Sequence, residues 1–143
     1  MKKSTLLLAF ALLTFSQVVA QNWTTDFSKA KELSASQHKN IMLVFSGSDW
    51  CGPCIKMESQ IWQSNEFVKY ADEDLILLKA DFPKKKKNRL PKEQQAHNDM
   101  LAEKYHAKFP LVIILNSKGE VLDSFGFLKD YTPQDYVNRI SKL

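Results

Sequence analysis

The stretch Ile41-Met42-Leu43-Val44-Phe45-Ser46-Gly47-Ser48-Asp49-Trp50-Cys51-Gly52-Pro53-Cys54 carries both cysteines of a 143-residue chain and places only two residues between them. Its first five residues form a continuous apolar run ended by Ser46-Gly47-Ser48, the pattern of a short strand buried on both faces. Beyond Cys54, the apolar residues Ile55, Met57, Ile61 and Trp62 recur at helical spacing, so the pair is predicted at a strand-to-helix junction. With Cys51 at the first turn of that helix, unpaired backbone N–H groups and the helix dipole favour its thiolate, the form that attacks disulfides. Cys54, one turn further on, can then close the ring. Gly52 lets the backbone turn tightly beside the sulfurs, and Pro53 fixes φ near the helix start, where its missing N–H costs little. Two blander readings stand beside redox chemistry. A disulfide closing so small a loop would add little chain-entropy stabilisation. Half of a metal site would need His38, His97 or His106 to complete it, and structural zinc takes four Cys or His ligands.

At Trp50-Cys51-Gly52-Pro53-Cys54 the chain resembles the thioredoxin family, and the resemblance extends from about Trp23 onward. The run from Phe45 to Cys51 is similar to that of small secreted bacterial thioredoxin-like proteins. The resemblance implies a thioredoxin fold, an α/β architecture with a central mixed sheet and helices on both faces, and thiol-disulfide exchange without a cofactor or metal. It assigns Cys51 as the attacking and more exposed cysteine, Cys54 as the resolving one, and Trp50 as a docking surface, although ordinary packing accounts for a tryptophan equally well. It also makes Pro110 the family's cis-proline, with Phe109 larger than the residue that usually precedes it, and Gly126 the glycine lining the substrate groove. A trans proline opening a strand is the alternative for Pro110.

One departure bears on mechanism. Thioredoxins carry a buried aspartate six residues before the first cysteine and a lysine on the next strand, and together these handle the resolving cysteine's proton. Counting back from Cys51 gives Phe45, and the matching strand position is about Leu77, so both partners are expected to be lost. Asp49 and Glu58 are the acids near enough in sequence to substitute.

The N-terminus has the form of an address. Lys2 and Lys3 precede an apolar segment from Leu6 to Phe15, and Val18-Val19-Ala20 offers small residues for cleavage, so residues 1–20 are expected to be a signal peptide and residues 21–143 the thioredoxin-like domain. The run is short of the roughly 20 residues that span a bilayer, although an uncleaved anchor remains the alternative. The formal charge of +4 falls by two once Lys2 and Lys3 leave, which is too near neutral to argue for nucleic acid. Export to a periplasm-like compartment puts disulfide-containing proteins among the expected partners, with a membrane electron donor or relay protein to resupply electrons.

Between the motifs the periodicity predicts helices capped at Asp26, Ser64 and Thr132, a helix opening at Pro91 with Ala96, Met100, Leu101 and Tyr105 facing inward, and strands at Leu75–Leu78, Leu111–Leu115 and Glu120–Phe125. His38 reads as a solvated turn residue, and Phe127 as either groove wall or core. The Lys84-Lys85-Lys86-Lys87-Asn88-Arg89 run is a solvated loop or a docking patch for an acidic partner or anionic membrane. Isomerase or oxidase activity is the alternative within the class, and a metal-handling thiol module the alternative outside it.

Overall fold

The computed structural model describes residues 21–143, so the expected signal peptide lies outside the described residues. Among these residues five strands and five helices follow in the order β1 (Trp23–Thr24), α1 (Phe27–Gln37), β2 (Asn40–Ser46), α2 (Gly52–Met57), α3 (Asn65–Asp74), β3 (Leu75–Asp81), α4 (Lys92–Tyr105), β4 (Leu111–Leu115), β5 (Val121–Phe125) and α5 (Pro133–Ile140). A π turn over Glu58–Trp62 prolongs α2, and a 3-10 turn over Lys86–Asn88 lies in the basic segment. The sheet order is β1-β3-β2-β4-β5, with β1, β3 and β2 parallel and β4 and β5 antiparallel. This is the mixed α/β sheet anticipated from the sequence, with the short edge strand β1 added.

Strand β2 is central and fully paired, and its alternation divides the core. Met42 and Val44 join Met57, Ile61, Trp62, Phe67, Ile114 and Tyr136 on the face covered by α2, α3 and α5. Ile41, Leu43 and Phe45 join Phe27, Ala30 and Leu101 on the face covered by α1 and α4. Trp62 anchors the first layer, its ring 4.7 Å from Phe67 and 5.6 Å from Tyr136, in the tilted and edge-on arrangements that aromatic quadrupoles favour.

The helix starts follow the sequence signals. Asp26, Ser64 and Thr132 each accept a backbone N–H from the first turn, and Thr132 and Asp135 form a reciprocal capping box. The far ends of α1 and α4 both close on a left-handed histidine, His38 at φ 56° and His106 at φ 52°. Three apolar positions depart from the expected stripes: Ile55 on α2 and Ala96 and Met100 on α4 are exposed. The inward face of α4 is made instead by Leu101 and a buried Asn98 whose amide donates to the Asp81 carbonyl at 2.9 Å. That polar anchor fixes α4 against the end of β3, and no hydrophobic period could have indicated it.

Helix α5 is tied to edge strand β5 by a two-pronged pair, Arg139 Nε to Asp123 Oδ2 at 2.7 Å and Nη2 to Oδ1 at 3.0 Å. The hydrogen bonds from Arg139 hold the Asp123 carboxyl below its ordinary value of 3.8. A depressed native value means that the pair stabilises the fold above the unfolded-state value and loses that contribution as pH falls through the native one. Asp123→Asn is therefore expected to lower the urea midpoint at pH 7, with a gap from wild type that narrows as the pH falls below 3.8. Urea titrations at both pH values measure it.

Candidate active site

The end of β2 turns sharply into α2. The N–H of Cys51 donates to the Gly47 carbonyl at 2.9 Å and that of Trp50 to the same oxygen at 3.2 Å, so five residues turn the chain and place the motif at the C-terminal end of the central strand. Cys51 is the N-cap of α2, one position before the helical turn expected for it, and its Sγ accepts the Cys54 N–H at 3.3 Å. Pro53 lies in the first turn, where it removes no intrahelical bond. The two sulfurs are joined at 2.10 Å. The expected difference in exposure is not found, since Cys51 and Cys54 are 5% and 4% accessible in this disulfide state. Nor does local geometry require glycine at position 52, because a Cβ there would meet no atom within 4 Å.

Trp50 stands beside the sulfurs, 39% exposed, and its position is determined from three sides. Its Nε1–H donates to the Phe82 carbonyl at 2.7 Å, its ring meets that of Phe109 edge-on at 5.5 Å, and the Lys84 ammonium lies 3.8 Å above its centroid. Phe82 and Phe109 also touch, at 5.2 Å, completing an aromatic group around the motif. Gly47 makes room for it: a Cβ there would overlap the Trp50 indole. The Phe109–Pro110 peptide bond is cis. Gly126 lies against the same loop, a Cβ built on it falling 3.4 Å from the Pro110 carbonyl. Phe127 packs at the margin of the first core layer with the Lys56 ammonium over its ring.

The position assigned to the missing acid needs correction. Phe45 points into the α1/α4 layer, whereas Met57 and Ile61, on the helix carrying Cys54, pack with Val44. The apolar residue on the cysteine side is therefore Val44. Its register partner on β3 is Lys79, so the lysine expected to be lost is present, two residues beyond Leu77. The Lys79 ammonium sits 2.7 Å from Glu58 Oε2 and 4.4 Å from the centre of the Trp23 ring. Glu58 follows Cys54 by four residues, and its N–H bonds to the Cys54 carbonyl, so the two side chains share one helix face.

Asp49, the other acid considered, is engaged elsewhere. Its carboxylate accepts the backbone N–H groups of Lys84 at 2.9 Å and Lys85 at 3.0 Å and the Asn88 amide at 2.9 Å. The Lys84 amide is the main reason that its pKa lies below the ordinary value. A carboxylate so held is a poor proton acceptor and serves as a bracket for the basic loop. Ser48 is bracketed in the same way, its N–H donating to Asp81 Oδ1 at 2.9 Å and its hydroxyl to Oδ2. Phe82, Gly47, Asp81 and the Glu58–Lys79 pair are the site residues that sequence reasoning missed or could not place. Phe82, Asp81 and the Glu58–Lys79 pair each depend on a partner far away in the chain, and Gly47 on the way the Trp50 ring folds back over it. No cluster of metal-ligating side chains is present among the described residues.

A β-sheet of this order, covered on both faces and carrying a paired-cysteine motif at the start of α2, defines the class of thioredoxin-fold redox domains. The family model described as thioredoxin-like matches residues 22–117, and the chain belongs to that family. It is 41% identical over 103 residues to the disulfide bond reductase DsbH of Chlamydia pneumoniae, a match covering 71% of this chain and 61% of that protein. The match to the thioredoxin-related protein DsbJ of the same organism is 27% identical over 121 residues and covers 79% of this chain but 34% of that one. The chain thus spans less than two thirds of either relative. Among solved structures, the DsbH oxidoreductase superposes with a TM-score of 0.77 at 35% identity, covering 92% of this chain and 90% of that one. A thioredoxin from Thermus thermophilus reaches 0.63 at 12% identity, covering 85% of each chain, a likeness of fold alone.

Removing the Asp49 carboxylate tests the bracket directly. In Asp49→Ala the Lys84 and Lys85 amides lose their acceptor and are expected to exchange with solvent at least about tenfold faster, with β2 and β3 amides unchanged. Hydrogen exchange followed by NMR reads both sets. Unaltered exchange at Lys84 and Lys85 would mean that the loop is held by other contacts.

Proposed function

We propose that this protein is an exported thiol-disulfide oxidoreductase that reduces disulfides in other proteins, with Cys51 as nucleophile and Cys54 as resolving thiol. The observation that carries the reading is the Cys51–Cys54 pair at the start of α2, next to the exposed Trp50. The similarity to proteins named for disulfide reduction supports it. In the reduced protein the Cys51 thiolate attacks one sulfur of a substrate disulfide. The substrate S–S bond breaks, a mixed disulfide forms, and one substrate thiolate leaves. Cys54 then loses its proton and attacks Cys51 Sγ. The second substrate sulfur leaves as thiolate and takes up a proton, and the enzyme holds the Cys51–Cys54 disulfide. Two electrons have passed to the substrate. A dithiol donor, a relay protein or membrane reductase of the same chemistry, must return them before the next cycle.

The surrounding residues take defined parts. Trp50, Phe109, Pro110 and Gly126 form the surface on which an extended substrate segment docks beside Cys51, while Pro53 sets the first turn of α2. Glu58, held by Lys79 on the helix face of Cys54, accepts the resolving thiol's proton, directly or through one water. The acid that thioredoxins place on the strand is here supplied by the helix. Residues 1–20 act as a cleaved signal peptide, which puts the mature domain in the periplasm or an equivalent exported compartment.

Cys51→Ser is expected to abolish reduction of insulin disulfides, and Cys54→Ser to accumulate mixed disulfides that nothing resolves. Reduction by Cys51→Ser at the wild-type rate would end this reading.

The role of Glu58 has its own readout. Glu58→Gln keeps the side-chain shape and removes the proton acceptor, so stopped-flow decay of the mixed disulfide at neutral pH is expected to slow at least about tenfold. The same variant should shift the pH profile of that decay toward more alkaline conditions, because hydroxide then has to do the work. The initial attack by Cys51 should be little changed. A slowed decay with an unmoved profile would instead indicate a purely structural role.

A further inference from the structure

A run of lysines needs no explanation while it floats in water, but this one is fastened to the reactive motif. The segment from Asp81 to Asn88 is joined to Ser46–Trp50 by seven hydrogen bonds. Phe82 N–H donates to the Ser46 carbonyl, Ser48 donates twice to Asp81, Trp50 donates to the Phe82 carbonyl, and the amides of Lys84 and Lys85 donate to Asp49. The Asn88 side chain adds a further bond to Asp49. The backbone groups do the holding, and Asp49 neutralises none of the lysine ammonium groups by an ion pair. The two side-chain ion pairs among the described residues are Lys79–Glu58 and Arg139–Asp123. Lys84, Lys85, Lys86, Lys87 and Arg89 are all exposed, and Arg89 and Lys92 continue the patch onto the start of α4 along a shallow groove whose far side carries Asp99, its carboxylate accepting from the Gln95 amide at 2.9 Å. From Lys84 to Lys92 the sequence holds no acid.

Resting on the oxidoreductase reading above, we infer that this tethered basic loop is a docking surface for an acidic segment of the disulfide-bearing substrate protein, lying next to the cysteine it presents to Cys51. Three observations favour a protein segment over a lipid surface. The loop is bonded to the motif itself, so a charge engaged there is registered against the reacting sulfur. Lys84 lies over Trp50, which places one cation beside the apolar surface that an extended chain would cover. The 3-10 turn over Lys86–Asn88 and the bracket at Asp49 hold the cations in one shape, as recognition of a defined segment requires and a diffuse membrane field does not. Like charges held this close also repel one another, and an acidic partner relieves that repulsion.

Two synthetic peptides with the same internal disulfide, one flanked by aspartate and glutamate and the other by serine, provide the test. Reduction is followed with dithiothreitol resupplying electrons. The variant Lys85→Gln/Lys86→Gln/Lys87→Gln/Arg89→Gln removes four charges while leaving Lys84, Asn88 and every backbone donor in place, and its fold is checked by circular dichroism. Lys118→Gln/Lys142→Gln controls for net charge elsewhere. Wild type is expected to reduce the acidic peptide with a kcat/KM about tenfold above the neutral one at low salt, and to lose that preference at about 0.5 M NaCl. The four-site variant should lose the preference while reducing the neutral peptide within about twofold of wild type, and the control should keep it. Equal rates in wild type, or a preference that the four-site variant retains, would overturn the docking surface alone. Failure of wild type to reduce either peptide would instead remove the oxidoreductase reading beneath it. Loop-dependent cosedimentation with phosphatidylglycerol vesicles, but not phosphatidylcholine vesicles, without any peptide preference would replace the inference by membrane attachment.

Discussion

Pairing of β2 on both edges and its burial on both faces is the constraint from which the site is built. With parallel β3 on one side and antiparallel β4 on the other, the strand cannot shift by one residue without exchanging Met42 and Val44 for Leu43 and Phe45 between two filled core layers. Each layer already holds large aromatic residues, so such a slip would both open cavities and overpack. The end of β2 is therefore fixed in space. The turn from Gly47 to Cys51 begins from that fixed point, and the helix that starts at Cys51 inherits its position.

Around this point the site divides into an inner and an outer half. On the inner side, Cys54 is buried on the helix whose Met57 packs in one layer with Val44, which supplies no charge, and Lys79 would be left half-buried without a counter-ion. Glu58 provides that counter-ion from one turn along the helix, at a side-chain exposure of 35%. A carboxylate at position 44 would stand in a fully packed layer and would have to overcome a desolvation cost of several kcal/mol per ion. An acid at the helix margin, as Glu58 is, avoids most of that cost while standing one helical turn from Cys54.

On the outer side, the motif is clasped by the loop after β3. Asp49 and Asp81 accept donors from opposite segments, Asp49 from the loop and Asp81 from the turn. Their effect is to make the active-site turn, Trp50 and the basic loop one rigid unit, so that whatever binds to one part is held in register with the others.

The sequence by itself determined the features whose causes are local. A continuous apolar run followed by small residues and a helical period located β2 and α2. Asp26, Ser64 and Thr132 announced three helix starts, and Pro110 before an apolar run located the loop that carries the cis bond. The family was legible in five residues because their chemistry and their strand-to-helix setting coincide. Only the tertiary structure decided which strand residue lies on the side of the sheet covered by the cysteine helix, since counting through a turn carries a one-residue uncertainty and in a strand one residue reverses the face. It alone also brought Glu58 to Lys79 across 21 positions and Asp49 to the Lys84 amide across 35. Contacts at such separations leave no period or motif in the chain. They exist because the parallel β2–β3 pairing returns the end of β3 to the end of β2, where both loops must find partners for the same few polar groups.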